Sequence, residues 1–224
     1  RAERREKAKR QKQMQSIGII ILGVLVIVGG AVLISFLQPK VDAAPERSYT
    51  TENGASVGNP DAPVVVEVFS SFTCIHCNNY ASDTEHQVIE QYAETGQIYY
   101  TYRAFSNAID DAGIAAQAAF CAGDQGKFWE MHDTIFANFS YNYPRKLLTQ
   151  MATSIGVEDM DAFEACIDNG KYVDQIESDV ALGQAAGITG TPSFTINGEM
   201  VMEGNQPLAT FQQQIEAALA AANN

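Results

Sequence analysis

Residues 64–77 read Val-Val-Val-Glu-Val-Phe-Ser-Ser-Phe-Thr-Cys-Ile-His-Cys, and the interpretation of the whole chain starts from this stretch. Its first seven residues form a β-branched, nearly continuous apolar run, which is typical of a central strand buried on both faces. Thr73 then fits the N-cap of a helix that runs from Cys74 to about Tyr92. The stretch therefore predicts a strand that leads into a helix, with two cysteines in the first helical turn.

The elements that follow complete an α/β pattern. Residues 98–105 predict a second strand, parallel to the first and reached through a right-handed crossover. Residues 108–187 have a helical pattern, which glycines and a proline divide into segments. Two further strands flank Asn197-Gly198, a strong hairpin signal, and an amphipathic helix ends at about residue 221. This order, βαβ, then helices, then ββα, predicts an α/β thioredoxin fold with an inserted helical domain.

The N-terminal region has a different character. Residues 17–37 carry no charge over 21 residues and are rich in Ile, Val, Leu and Gly, which is long enough for one transmembrane helix. The basic residues before it predict that residues 1–16 form a cytoplasmic tail and that the rest is extracytoplasmic. A cleaved signal peptide is the alternative, since residues 41–43 resemble a cleavage site, but signal cores are shorter, about 7–15 residues. We predict a single-pass anchor in the cell membrane, a linker at residues 38–57 and a folded domain at residues 58–224.

The body of the chain is acidic. The net charge is −13, and seven of the 14 Lys and Arg residues lie within the first 12 positions, which leaves 25 acids and 7 bases elsewhere. Such a surface repels phosphates, so the composition excludes nucleic acid as a partner.

Cys74 and Cys77 carry the chemistry that the sequence suggests. At the start of a helix, unpaired N–H groups and the helix dipole favour a thiolate on Cys74, and His76 adds donors or positive charge nearby. A stabilised thiolate favours the reduced pair, so the disulfide becomes an oxidant. The alternatives are a zinc site and a purely structural disulfide. Zinc would need two further ligands, yet Cys121 and Cys166 are 45 residues apart, and so tight a disulfide ring constrains little chain entropy.

Residues 190–194 (Gly-Thr-Pro-Ser-Phe) form a second constellation. A proline directly before a strand suits a cis peptide bond, and together with the cysteine pair it predicts a cis bond between Thr191 and Pro192. A proline without an N–H leaves the backbone at Thr191 free to pair with an extended substrate beside the active sulfur. Without the cysteine pair, an ordinary trans proline would be the simpler interpretation.

Together these motifs resemble the DsbA-like thiol–disulfide oxidoreductases of the membrane-anchored bacterial type. The resemblance rests on the CxxC after its strand, on the Thr-Pro before the hairpin, and on residues 58–63 (Gly-Asn-Pro-Asp-Ala-Pro) and 123–129 (Gly-Asp-Gln-Gly-Lys-Phe-Trp). It spans about residues 58–220, nearly the whole predicted folded part.

The resemblance implies roles for individual residues. Cys74 is expected to be the exposed nucleophile, Cys77 the buried resolving partner and Pro192 the cis proline. With that pair assigned, Cys121 and Cys166 remain for a second disulfide, which an oxidising compartment favours. We interpret this second bond as a structural staple, with a regulatory redox role as the alternative.

The chain departs from the family pattern in two places. Ile75-His76 replaces the Pro-His of the best-known oxidases, so the redox potential cannot be carried over. Thioredoxin-like proteins often have a buried acid six residues before the first cysteine, where this chain has Val68. Glu67 lies one residue earlier, on the opposite face of a regular strand. We therefore expect that no carboxylate shuttles protons to Cys77.

The sequence thus predicts an extracytoplasmic dithiol oxidase that introduces disulfides into secreted proteins. The resemblance implies protein thiols as substrates and recycling by a quinone-linked membrane oxidase of DsbB or vitamin K epoxide reductase type. The expected chemistry needs no cofactor and no metal, and no separate dimerisation domain is evident, which favours a monomer. The same cysteines would serve a reductase or an isomerase. A membrane-tethered binding or chaperone module with a structural CxxC is the alternative of another class.

Overall fold

The computed structural model describes residues 14, 17, 19–30 and 40–222 of the chain. The chain divides into two compact units, Arg1–Lys40 and Val41–Asn224. Residues 19–30 of the first unit are helical, and no helix among the described residues is both long and apolar enough to cross a membrane. Nearly all of the predicted basic tail, and residues 18 and 31–37 of the predicted anchor, lie outside the described residues.

A six-stranded mixed sheet forms the centre of the second unit. Its strands are β1 (Glu52–Asn53), β2 (Ser56–Gly58), β3 (Val64–Ser70), β4 (Ile98–Ala104), β5 (Ser193–Ile196) and β6 (Glu199–Glu203). They are ordered β1-β2-β4-β3-β5-β6, with β3 parallel to β4 and every other neighbouring pair antiparallel. The parallel β3–β4 pair, with helix between the strands, is the βαβ unit that the sequence predicts.

Strand β3 lies in the middle of the sheet and is covered on both of its faces. The side chains of Val64, Val66, Val68 and Phe69 are all completely buried. Burying an aliphatic or aromatic side chain of this kind contributes about 1.5–3 kcal/mol. The near-continuous apolar run is therefore explained by a strand that is covered on both sides.

The hairpin between β5 and β6 follows directly from its turn residues. Asn197 and Gly198 have φ angles of 51° and 84°, the left-handed values that a two-residue type I′ turn requires. The Asn197 side chain also accepts a hydrogen bond from the Val65 N–H at 2.9 Å, which fixes the turn against β3. The turn places β6 antiparallel to β5, the strand that carries Thr195.

The α-helices of the second unit lie around this sheet. They are α1 (Ile75–Tyr80), α2 (His86–Val88), α3 (Asp111–Gly123), α4 (Phe128–Ala137), α5 (Arg145–Ser154), α6 (Met160–Asp168), α7 (Val173–Ala185) and α8 (Leu208–Ala222). Helices α3 to α7 fall between β4 and β5 along the chain, so they form the predicted helical insertion. The regular helix predicted from Cys74 to Tyr92 is instead interrupted by π-helical turns at Ala81–Glu85 and Ile89–Ala93.

The boundary between linker and folded domain differs from the sequence-based expectation. The second unit begins at Val41, and β1 and the first two residues of β2 lie inside the segment predicted as a linker. Tyr49 from this segment is 6% exposed and packs edge-on against Trp129. The Glu94 carboxylate accepts hydrogen bonds from the N–H and hydroxyl groups of Thr50 and Thr51 at 2.6–3.0 Å. The strands were missed because this polar segment is stabilised by contacts distant in sequence.

The helical insertion packs on the sheet through aromatic side chains. Tyr102 of β4 lies with its ring centroid 5.5 Å from Phe128 and 5.4 Å from His132. Phe72, between β3 and α1, stacks on Tyr102 at 5.5 Å and contacts Phe136 at 4.8 Å. These rings join the βαβ unit to helix α4.

Candidate active site

The cysteine pair lies where β3 gives way to α1. Cys74 has the extended backbone of an N-cap residue, with φ −92° and ψ 118°, and Cys77 belongs to the first turn of the helix. Both are free thiols, Cys74 half-buried and Cys77 1% exposed. One sulfur is therefore accessible to a reactant while the other is enclosed in the core.

The accessible sulfur is stabilised as an anion. A hydrogen bond from the Cys77 thiol is the largest influence lowering the pKa of Cys74, which falls to about 5 although partial burial opposes the shift. The Thr191 side chain and the backbone N–H groups of Cys77 and His76 lower it further. At neutral pH Cys74 is consequently a thiolate, the form that acts as nucleophile and as leaving group.

The enclosed sulfur behaves in the opposite way. Burial raises the pKa of Cys77, and its hydrogen bond to Cys74 raises it further. Hydrogen bonds from the Ser70 hydroxyl and the Ser71 backbone N–H act against this rise, the latter at 3.5 Å from the sulfur. Cys77 thus remains a thiol in the reduced pair.

The Thr191–Pro192 segment borders the accessible sulfur. The peptide bond between these residues is cis, and the Thr191 carbonyl oxygen lies 3.3 Å from Cys74 Sγ, within reach of the thiol as a donor. Ser193, the first residue of β5, donates a hydrogen bond from its hydroxyl to the Gly190 carbonyl at 2.8 Å, which closes the turn. The sequence-predicted residues Cys74, Thr191 and Pro192 therefore come together at one end of the neighbouring strands β3 and β5.

His76 contributes differently from the sequence-based expectation. His76 is exposed, and the group that lowers the pKa of Cys74 is its backbone N–H. The expectation assigned this role to the imidazole.

Glu67 lies away from the cysteine pair. Its carboxylate accepts hydrogen bonds from Arg103 at 2.9 Å and from the Thr195 hydroxyl at 2.9 Å. It lies on the same face of β3 as Phe69, whereas the alternate residues of β3 lie on the face on which α8 packs.

A buried acid does occur near the site, on a residue that the sequence did not single out. Glu85 is 3% exposed and accepts a hydrogen bond from Tyr100 at 2.7 Å, and its second oxygen lies 3.4 Å from His132 Nε2. Burial raises the pKa of Glu85. For His132 burial opposes protonation, but Glu85 and Asp133 outweigh it and raise the pKa. The π-helical turn that ends at Glu85 places this side chain inward, and no sequence pattern marks such a turn.

Within the described part of the chain, no cluster of three His, Cys, Asp or Glu side chains could hold a metal ion. The site consists instead of a half-buried but accessible, low-pKa thiolate, a buried thiol one helical turn away and a peptide carbonyl beside them. On a thioredoxin fold, this arrangement defines a protein that exchanges a dithiol for a disulfide.

Comparisons with known proteins give the same answer. The family model described as thioredoxin matches residues 50–217. A probable disulfide bond formation protein D from Bacillus anthracis is 26% identical over 86% of this chain and 91% of its own length. A putative protein-disulfide oxidoreductase from Rickettsia conorii is 28% identical over 81% of this chain and 66% of its own.

Solved structures share the fold. The α-DsbA1 of Wolbachia pipientis superposes with a TM-score of 0.64 at 27% identity, covering 78% of this chain and 94% of that one. Oxidised BdbD from Bacillus subtilis gives a TM-score of 0.65 at 20% identity, and the match covers 80% of this chain and 100% of that one. The chain therefore belongs to the thioredoxin family, as a DsbA-like thiol–disulfide oxidoreductase.

Proposed function

We propose that this chain is a dithiol oxidase that introduces disulfides into secreted proteins outside the cytoplasm, with Cys74 and Cys77 as its redox-active pair. The observation that carries the proposal is the opposite behaviour of the two thiols. A Cys74 pKa of about 5 means that the reduced pair is stabilised at neutral pH. Stabilising the reduced form makes the disulfide form a stronger oxidant.

Oxidation of a substrate begins with the Cys74–Cys77 disulfide. A substrate thiolate attacks Cys74 Sγ and forms a new sulfur–sulfur bond. The Cys74–Cys77 bond breaks, and its electron pair leaves with Cys77. Attack on Cys74 is favoured because Cys77 is enclosed, so only the outer sulfur is open to a protein substrate.

Release of the product uses the second substrate thiol. Its thiolate attacks the substrate sulfur of the mixed disulfide, and Cys74 departs with the bonding electrons. A thiolate with a pKa of about 5 is a good leaving group, so this step is fast. The substrate has lost two electrons, and the enzyme holds them as the reduced pair.

The Thr191 segment supports binding of an extended substrate. Its carbonyl oxygen at 3.3 Å from Cys74 Sγ lies beside the sulfur that the substrate must reach. We propose that the substrate backbone pairs with this segment during the mixed-disulfide stage, and that a quinone-linked membrane oxidase of DsbB or vitamin K epoxide reductase type reoxidises the pair.

An extracytoplasmic location is supported by the second disulfide. Cys121 and Cys166 are bonded to each other, and such bonds persist mainly in oxidising compartments. We propose that residues 17–37 tether the domain to the membrane, with the basic residues before them on the cytoplasmic side.

Equilibration with glutathione tests the direction of electron flow. The full chain is incubated in buffers of varied reduced-to-oxidised glutathione ratio, and the Cys74–Cys77 state is quantified after acid quenching. An oxidase should give a potential less negative than about −180 mV, whereas a value near about −270 mV would indicate a reductase.

Substitution of one sulfur separates catalysis from a binding role. Cys74→Ser should abolish oxidation of a reduced, unfolded substrate protein, while Cys121→Ser together with Cys166→Ser, which leaves no unpaired thiol, serves as a cysteine control outside the pair. A membrane-tethered binding or chaperone module would keep its activity in Cys74→Ser. That result would contradict the proposed oxidase.

A further inference from the structure

The first exchange step places a negative charge inside the protein. When a substrate attacks Cys74, the departing Cys77 carries the electron pair at a position that is 1% exposed. Water cannot solvate a sulfur anion there, and burial raises the pKa of Cys77. Groups that donate hydrogen bonds to this sulfur would stabilise the charge that develops as the disulfide breaks. Because the resting disulfide carries no such charge, these bonds would lower the barrier of this step.

Two donors face this sulfur from the end of β3. The Ser71 backbone N–H donates to Cys77 Sγ at 3.5 Å. The residue before it, Ser70, ends β3, and its buried hydroxyl lowers the pKa of Cys77. Ser70 is 3% exposed, so its hydroxyl is shielded from competing water.

A third hydroxyl lies behind these donors. Tyr102 on β4 pairs with Val68, two residues before Ser70, so Tyr102 and Ser70 belong to the same face of the sheet. Tyr102 Oη is buried and has no hydrogen-bond partner of ordinary geometry within the described part of the chain. Burial and the charge of Cys77 raise the pKa of Tyr102, while the Ser70 hydroxyl lowers it, so the three groups are close enough to influence one another.

An unpartnered buried hydroxyl is costly, and the cost is removed when that hydroxyl gains an acceptor. Leaving such a donor unsatisfied costs about 1–3 kcal/mol. In the reduced structure Cys77 is a thiol and a poor acceptor, and the departing thiolate is a strong one. The Tyr102 hydroxyl can then donate to Ser70, which in turn donates to the sulfur.

We propose that Ser70 and the Ser71 N–H form a binding site for the departing Cys77 thiolate, and that Tyr102 positions and polarises the Ser70 hydroxyl. Ser70 is a catalytic residue of the first exchange step, and Tyr102 is a positioning residue that acts through it. This inference rests on the proposed dithiol exchange at Cys74 and Cys77. It assigns the leaving-group chemistry to hydroxyl groups in a chain whose strand has valine at the usual position of a buried acid.

The two exchange steps differ in their leaving group, and this difference gives the test. Dithiothreitol reduction of the oxidised full chain measures the step in which Cys77 leaves. In a Cys77→Ala background loaded with glutathione on Cys74, release by dithiothreitol measures a step that does not involve Cys77. Both rates are followed at pH 7 by acid quenching and mass spectrometry.

Ser70→Ala should slow the first reaction about tenfold or more, because it removes a hydrogen bond to a developing charge. Tyr102→Phe should slow it severalfold, because it removes the hydroxyl that polarises Ser70. Neither should change the second reaction by more than about twofold. Tyr80→Phe and Ser56→Ala are matched controls, since each removes a buried hydroxyl that bonds elsewhere, to Tyr100 and Thr101 respectively. Both controls should keep wild-type rates in the two reactions.

Wild-type rates of reduction in both Ser70→Ala and Tyr102→Phe would overturn the inference and leave the proposed function intact. Equal slowing of the two reactions would also overturn it, because the substitution would then act on Cys74 or on the fold. A wild-type chain that dithiothreitol cannot reduce would instead overturn the proposed function, and the inference with it.

Discussion

At the scale of single residues, Cys74 and Cys77 differ because one sulfur is half-exposed beside several donors and the other is enclosed in the core. The anion on Cys74 receives hydrogen bonds from Cys77, Thr191 and two backbone N–H groups, whereas Cys77 is enclosed. The lowered pKa also links redox state to stability. A thiol with pKa 9.0 when unfolded and about 5 when folded stabilises the reduced protein fully above pH 9. That contribution is lost as the pH falls from 9 towards 5.

Thr191→Val should raise the pKa of Cys74. The substitution keeps the size of the side chain and removes the hydroxyl that lowers the thiol pKa. One hydrogen bond to a charged group is worth about 1.5–3 kcal/mol, and solvent at this half-exposed site reduces that, so we expect a rise of up to about one pKa unit. The rate of iodoacetamide alkylation as a function of pH measures it. Thr189→Val, on an exposed threonine of the same loop, is the control, and an equal shift there would contradict the assignment.

Glu67→Gln should leave the pH profile of thiol exchange unchanged. The Glu67 carboxylate pairs with Arg103 and Thr195, and it lies on the strand face opposite the one that carries Ser70. Its removal should lower stability, since a part-buried ion pair loses one partner. Rates of dithiothreitol reduction between pH 5 and 9, alongside urea denaturation, separate the two effects. A displaced pH profile would mean that this carboxylate does serve Cys77.

At the scale of elements, helix α7 is attached to the sheet by one buried carboxylate. Asp179 lies 3.1 Å from Arg103 Nη1 and accepts a hydrogen bond from the Ala104 N–H at 3.2 Å. Helix α7 also leads into the loop that carries Thr191, so this attachment supports the loop beside Cys74. Burial raises the pKa of Asp179 to about 6, although Arg103 opposes the shift.

The sign of the pH effect follows from that shift. The unfolded carboxyl has a pKa of 3.8, so between pH 4 and 6 the folded state binds the proton more tightly. The contribution of Asp179 to stability therefore falls as the pH rises through this window, and it is constant above it.

Asp179→Ala should destabilise the protein by about 1–3 kcal/mol at pH 7, because the Ala104 N–H loses its acceptor and Arg103 loses one of two carboxylates. Asp179→Asn keeps an acceptor oxygen and should cost less. It should also flatten the pH dependence of stability between pH 4 and 6. Urea denaturation at several pH values measures both effects, and equal losses in the two variants would refute the hydrogen-bonding role.

The elements best predicted from sequence are those that local chemistry determines. The apolar run of β3 and the Asn197-Gly198 turn specify their structures within a few residues. The strands at residues 52–58 were assigned to a linker, since their short polar sequence is ordered by pairing with β4 and by the Glu94 hydrogen bonds. Tertiary contacts of this kind leave no periodic signal in the sequence.

The same distinction applies to the candidate site. Cys74, Cys77 and the Thr191–Pro192 pair could be identified because their residue types are unusual at such positions. Ser70 and Tyr102 could not, because a serine at a strand end and a tyrosine in a strand are ordinary. Only the parallel register of β3 and β4 brings their hydroxyl groups towards Cys77.

At the scale of the whole molecule, the second disulfide acts within the helical insertion. It joins α3 to α6 through Cys121 and Cys166, which are 45 residues apart in sequence. Both cysteines are buried, with residue exposures of 1% and 8%, so a thiolate in solution cannot reach their sulfurs while the helices are packed. This inaccessibility favours a structural staple over a regulatory bond that opens and closes in the folded protein.

Replacing both residues, as Cys121→Ala with Cys166→Ala, should lower the unfolding free energy by about 2–4 kcal/mol, since the unfolded chain gains the entropy of an open loop. The glutathione equilibrium of the Cys74–Cys77 pair should stay unchanged, because the groups that shift the pKa of Cys74 and Cys77 most strongly lie on other elements than α3 and α6. Melting temperatures of a Cys74→Ala, Cys77→Ala chain with and without dithiothreitol provide the control, as only the second disulfide remains to be reduced. A shifted glutathione equilibrium with an unchanged melting temperature would assign the bond a regulatory role instead.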